Sequence, residues 1–390
     1  MIFFHFCFFS FGVLQECVAE NQIPEISNEY KLVQHHVITN CGSHSPFTTF
    51  LPRENRGTWQ CDPRSENSSY SSRHSIFPID LPREIHTIID KRYAEYPPNC
   101  GLGSITVEGM NQVSDLGSNY RKFLFETHHL INEKINLDEI LIRSTFEEHS
   151  YQTAVSFVSG LFKNLNNGKI INIVSGTKNK EIIVPNKNQC KDLNNLISSF
   201  ENSDDAQKEI EFAKSELSSI FQLFDIKSPT KKNIINICEW INSMKCNDQI
   251  LESNISNKFK SCQNILQKLR FGAFSSDRGK IGVAASPVMR EILRNIDNFM
   301  NQSKNIKFSL IAAEDTTIAA ILSLLKNEKL NDQILLASHL SFSVLQKDDF
   351  YYLQVFMNGK PLNISDRNIL KYDEFKIKFE KLINYCHELP

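Results

Sequence analysis

The chain has 390 residues, 41% of them apolar, and a formal charge of only −2 at pH 7. Such a length and apolar share are enough for one large or two medium domains with a buried core. The near-neutral balance excludes the basic footprint of a nucleic-acid binder and a polybasic membrane patch.

The chain opens on "MIFFHFCFFSFGVL", an apolar run without formal charge and shorter than the roughly 20 residues a spanning helix needs. A small residue, Ala19, follows. Residues 1–19 therefore read as a secretory signal peptide cut near Ala19, or as a short anchor if left uncleaved, in which case it is the one membrane attachment expected. Of the ten cysteines, loss of Cys7 and Cys17 with the leader leaves eight, an even number suited to disulfides in an oxidising compartment. Asn67, Asn254, Asn301 and Asn363 head N-x-Ser sequons and are the expected glycosylation positions. Together these features predict a secretory-pathway protein.

"KLVQHHVIT" (31–39) predicts a strand, with one of His35 and His36 facing the core, and leads into the Gly- and Pro-punctuated loop "NCGSHSP". Residues 53–100 form a polar excursion that Cys61 and Cys100 are placed to staple. Met110, Val113, Leu116, Tyr120 and Phe123 carry helical spacing behind Thr106, an expected N-cap. "DEILIRS" (138–144) predicts a buried strand, and Thr145 to Phe162 a helix. "KIINIVSG" and "KEIIVP" predict two more strands. Charged helical segments then dominate to about residue 275. After them come the helix "SPVMREILRNIDNFM", the strand "IKFSLIAA", a helix capped by Thr316 or Thr317, and two alternating stretches, "QILLASHLSFSVLQ" and "DFYYLQVFMNG", that predict a terminal hairpin.

Strand–helix alternation of this kind predicts an α/β fold: a central, mainly parallel sheet flanked by helices, with a helical cap and a C-terminal antiparallel hairpin. The expected division is a first core part at 30–185, the helical cap at 186–275 and a second core part at 276–390.

Several stretches, in this order, resemble the histidine acid phosphatase family, most closely its 2-phosphoxylose phosphatase branch. They are "ITVEGMNQVSDLGSNYRKF", "RSTFEEHSYQTAVSFVSGLF", "SPVMREIL", "SLIAAEDTTIAAILSLL" and "ASHLSFSVLQKDDFYYLQVFMNGKPL". The resemblance implies phosphomonoester hydrolysis without a cofactor. In that chemistry a histidine in an Arg-His-Gly-x-Arg-x-Pro loop attacks phosphorus, and two loop arginines and one at the Arg-Ser-Thr strand exit hold the phosphoryl oxygens. A second histidine contacts the phosphate and the aspartate after it protonates the leaving oxygen. A dianionic ester needs such a cationic pocket, and an alkoxide leaves well only when protonated.

This chain departs from the pattern inside the loop. Asn40 stands for the first arginine, Cys41 for the nucleophile and His44 for the second arginine, while Gly42 and Pro46 keep the loop's punctuation. Arg143 matches the strand-exit arginine, Glu314 replaces the phosphate-contacting histidine, and Asp315 matches the proton donor. His149 falls where the family carries a further arginine and is given a structural role. The expectation is a pseudophosphatase that binds a glycan or another weakly anionic ligand, with a weakly active phosphomonoesterase and a secreted scaffold or glycan-binding protein as alternatives. The branch resemblance implies an ancestral substrate in the glycosaminoglycan linkage region and action in the Golgi lumen. Cysteine-based phosphotransfer is disfavoured because the position six after Cys41 is Phe47 rather than arginine, and the count of cysteines favours pairing of Cys41. Cys41, His44, Glu314 and Asp315 are zinc-ligand types, but their spacing is not diagnostic and no metal is expected.

Overall fold

A computed structural model describes residues 16–48, 59–61, 100–163, 170–326, 333–364 and 366–386. The leader before Glu16, Cys7, most of the polar excursion and the Asn67 sequon lie outside the described residues. A single mixed sheet runs in the order β3-β2-β4-β1-β5-β6-β7, with β8 paired to β6. The strands are β1 (Lys31–Thr39), β2 (Ile140–Ser144), β3 (Ile173–Ser175), β4 (Phe308–Ala312), β5 (His339–Lys347), β6 (Phe350–Met357), β7 (Lys360–Pro361) and β8 (Ile369–Lys371). β3, β2, β4 and β1 are mutually parallel, and β5 and β6 form the expected antiparallel hairpin.

Helices cover both faces. α1 (Val107–Arg121) and α2 (Glu148–Leu161) pack on one, their buried Val113, Leu116, Tyr120 and Phe157 meeting Val37, Ile142 and Leu310 of the sheet. α3 (Lys191–Glu201), α4 (Asp204–Glu216), α5 (Ser218–Leu223), α6 (Lys231–Cys246), α7 (Ser253–Ser256) and α8 (Phe259–Phe271) then follow without an intervening strand, and most of their apolar faces form a separate core. α9 (Ser286–Met300), α10 (Asp315–Lys326) and α11 (Tyr372–Glu380) cover the second face through Met289, Ile292, Ile318, Ile321 and Phe375. With both faces covered, the central strand "FSLIA" is apolar apart from one serine and wholly buried. Each large apolar side chain removed from water there contributes about 1.5–3 kcal/mol before its ordering entropy.

The Thr106 side chain caps α1 as expected, accepting from the Gly109 amide at 3.1 Å. Gly117 of α1 and Gly160 of α2 let the two helices touch: a methyl on either would collide with a backbone carbonyl of the other helix, that of Phe157 or Ser114. Other expectations change. "KEIIVP" is not a strand, because the buried Glu181 carboxylate accepts from the amides of Gly176, Ile182 and Ile183 and turns the chain instead. His35 and His36 are both fully buried, since neither sheet face meets water; Nδ1 of His35 pairs with Ser343 and Nδ1 of His36 with Ser309. Neither Thr316 nor Thr317 is a cap. α10 already begins at Asp315, and the Thr317 hydroxyl donates to the Ile183 carbonyl at 2.9 Å.

Four disulfides join Cys17 to Cys246, Cys61 to Cys100, Cys190 to Cys386 and Cys238 to Cys262. The second is the expected staple. The first conflicts with cleavage near Ala19, which would remove Cys17 and the hydrogen bonds that Cys17 and Ala19 make with Leu336. Cys17 thereby takes the place in the pairing that the cysteine count suggested for Cys41, and Cys41 is a free, buried thiol. The disulfides are compatible with a secretory or lumenal protein, and no helix among the described residues is long and apolar enough to cross a membrane.

Candidate active-site cavity

The parallel strands β1 and β4 are neighbours, and the chain leaving their carboxyl ends builds the site, the usual position for a ligand in an α/β sheet. After β1, the loop is clamped from both sides. The Ala337 amide donates to the Cys41 carbonyl at 2.7 Å, the Ser43 amide to Gln112 Oε1 at 2.9 Å, and the Thr106 amide to the Ser43 carbonyl at 2.8 Å. Gly42 is required where it is: a Cβ there would overlap the backbone of Gly109. The loop therefore keeps its course although its expected reactive side chains are absent.

Asn40, Cys41 and His44 line a cavity of about 400 Å³ together with Glu314 and Asp315 from the start of α10. Five of the six positions expected to contact phosphate or do chemistry are thus brought together. The sixth, Arg143, is not among the lining residues. It pairs in register with Ile311, and its guanidinium bonds Glu291 and lies 3.9 Å from Glu181, two carboxylates that are themselves buried. Its charge is already countered.

The cavity instead contains an arginine that sequence reasoning did not single out. Arg270 of α8 donates two parallel hydrogen bonds to Asp315, Nη1 to Oδ2 at 2.7 Å and Nη2 to Oδ1 at 2.8 Å, and lies 3.5 Å from Glu239 of α6. A fork of this kind occupies both carboxylate oxygens of the position expected to donate the proton. Burial opposes the Arg270 charge, but Asp315, Glu239 and Glu314 outweigh it and raise its pKa.

The remaining described groups supply no cation at pH 7. Burial, with the Asp315 charge beside it, pushes Glu314 from 4.5 to about 7. Burial also raises Glu239. His44 is lowered by burial, and His149, 3.9 Å from Glu314, is lowered by burial and by His44 to about 4, so the second imidazole is neutral at pH 7. Burial and the Asp315 and Glu314 charges push the Cys41 thiol far above its ordinary value, which removes the thiolate a nucleophile needs. Among the described residues the lining side chains hold one guanidinium, Arg270, and four acidic groups, Glu147, Glu239, Glu314 and Asp315. Of the sequon positions, Asn254, Asn301 and Asn363 are exposed.

Comparison with known proteins agrees with the fold. The chain belongs to the histidine phosphatase superfamily (branch 2), whose family model matches residues 78–358. That span begins beyond the Asn40–Pro46 loop. The chain is 21% identical over 369 residues to Counting factor 60 of Dictyostelium discoideum, covering 90% of this chain and 85% of that protein. Lysophosphatidic acid phosphatase type 6 of Bos taurus is 24% identical over 177 residues, 45% of this chain and 41% of the relative. Among solved structures, Hafnia alvei phytase in complex with myo-inositol hexakis sulphate superposes with a TM-score of 0.59 at 13% identity, covering 94% of this chain and all of that one. At that identity the likeness is one of fold.

Proposed function

We propose that this protein is a pseudophosphatase: a superfamily member that keeps the cleft and binds a ligand there without phosphoryl transfer. The observation that carries this reading is the Arg270–Asp315 fork, in which the one arginine lining the cavity among the described residues is locked onto the position expected to donate the proton. Each charge-assisted hydrogen bond to a phosphoryl group contributes about 1.5–3 kcal/mol. Loss of two loop arginines and one histidine removes roughly 5–8 kcal/mol, a weakening of about ten-thousand- to a million-fold in phosphate affinity. Diversion of Arg143 to Glu291 and Glu181 deepens that deficit.

Resemblance to the 2-phosphoxylose phosphatases supports a finer reading, in which the inherited cleft faced the glycosaminoglycan linkage region in the lumen of the secretory pathway and the present ligand is a glycan or another molecule less anionic than a phosphate ester. Exposed Asn254, Asn301 and Asn363 would carry N-linked glycans there. One feature favours a weak phosphomonoesterase instead: Asp315 still lines the same cavity as Cys41. Assay of para-nitrophenyl phosphate hydrolysis between pH 4 and 7 separates the two. The pseudophosphatase gives no turnover above that of the Asp315→Asn variant; turnover that this substitution abolishes refutes the reading.

A further inference from the structure

An acidic cavity rejects anions, but what it accepts depends on which of its polar atoms lack partners. Two lie on α6 at the cavity wall: Asn242 Oδ1 and Ser243 Oγ are buried and make no hydrogen bond, and Ser243 as a whole is only 4% exposed. Leaving such atoms unpaired costs stability, and both can accept a hydrogen bond. Glu314, Glu147 and Asp315 line the same cavity, the charges of Asp315 and Glu147 disfavour that of Glu314, and Asp315 alone among the three has its oxygens taken by Arg270. Phe47, 41% exposed, offers an aromatic edge at the same cavity beside the His44 and His149 rings.

We propose that the cavity binds a small protonated amine bearing hydroxyl groups, of the amino-sugar type, with its ammonium between Glu314 and Glu147 and its hydroxyls donating to Asn242 Oδ1 and Ser243 Oγ. The inference rests on the pseudophosphatase reading and deepens it by assigning the ligand class. Charge selects the amine: among the described residues four acidic side chains face one guanidinium, and that guanidinium is committed to Asp315. An ammonium is a pure donor, which suits a site whose open atoms are acceptors. A ligand that brought only acceptors would leave Asn242 Oδ1 unpaired and add repulsion. A volume of about 400 Å³ accommodates a single sugar ring with its substituents.

Calorimetric titration of the full chain at pH 7 with glucosamine, glucose, spermidine and inorganic phosphate tests this. Glucosamine is expected to bind about tenfold or more tightly than glucose, which lacks the ammonium, and more tightly than spermidine, which lacks hydroxyls. Glu314→Gln is expected to weaken glucosamine about tenfold while leaving glucose unchanged, and Ser243→Ala to weaken it several-fold. Equal binding of glucose and glucosamine, spermidine binding as tightly as glucosamine, or no binding of any amine overturns the inference and leaves the pseudophosphatase reading intact. Phosphate binding in preference to glucosamine, lost in Arg270→Met, overturns both.

Discussion

Glu314 is held where its charge is opposed, so Glu314→Gln should stabilise the protein, and only over a defined range of pH. The carboxyl is buried beside Asp315, and its pKa rises from 4.5 to about 7. A shift of that size corresponds to about 3 kcal/mol of differential interaction between the two protonation states. The sign follows from proton counting. Between about pH 4.5 and 7 the folded chain holds a proton on Glu314 that the unfolded chain has lost, so stability falls as pH rises. Below about 4.5 both states are protonated and glutamine offers nothing; above about 7 the full penalty of about 3 kcal/mol is present and glutamine removes it. Groups common to both proteins, including the neutral His149 and the Arg270–Asp315 fork, cancel in the difference. The side chain is 29% exposed, which keeps the figure an upper one. Urea unfolding of both proteins from pH 4 to 8, followed by the fluorescence of buried Trp240, reads the difference. A gap that opens from nothing in acid to about 2–3 kcal/mol at pH 8 is expected. A gap that is independent of pH, or that widens towards acid, refutes the picture of a carboxylate disfavoured by its surroundings.

Asp315→Asn should act in the opposite direction: it breaks a bidentate pair and leaves Arg270 with Glu239 at 3.5 Å, at a cost of about 2–3 kcal/mol at pH 7, read as a lower urea midpoint. Gly160→Ala should cost about 1–3 kcal/mol, because a methyl there meets the Ser114 carbonyl and forces α1 and α2 apart; thermal melting checks it, and an unchanged midpoint would refute the close crossing. Cys41 should resist iodoacetamide at pH 8 in the folded protein and react once unfolded, as peptide mass spectrometry of the labelled chain would show.

The sheet was legible because its strands are short apolar runs bounded by loops, and the helices because their apolar spacing is regular: "SPVMREILRNIDNFM" coincides with α9. Two misreadings have one physical origin, long-range structure overriding local pattern. "KEIIVP" has strand composition, but the buried carboxylate of Glu181 takes the amides that a neighbouring strand would need. Cys17 sits at the edge of a leader-like run, yet its partner Cys246 lies 229 positions away, and no local feature of the sequence reports that pairing.

The cavity was half legible for the same reason. Asn40, Cys41, His44, Glu314 and Asp315 flank strand ends, and the topology of an α/β sheet brings strand ends together whatever residues they carry. Arg270 and Glu239 belong instead to the helical region, where charged residues are the rule and nothing marks two of them as facing a sheet. The one local signal was the placement of Arg270 between the buried Leu269 and Phe271, an unusual seat for a solvated cation. That arginine changes how the substitutions are understood. A donor aspartate without its histidine partner reads as a remnant of lost chemistry, but the same aspartate forked to Arg270 is part of a tie between the sheet's α10 and the helical cap's α8. On the pseudophosphatase reading, with that carboxylate tied to the helical region, a histidine at position 41 alone would not confer phosphoryl transfer. A Cys41→His chain would still lack both loop arginines, would still have Glu314 at the phosphate position, and would have to break the fork before Asp315 could give up a proton.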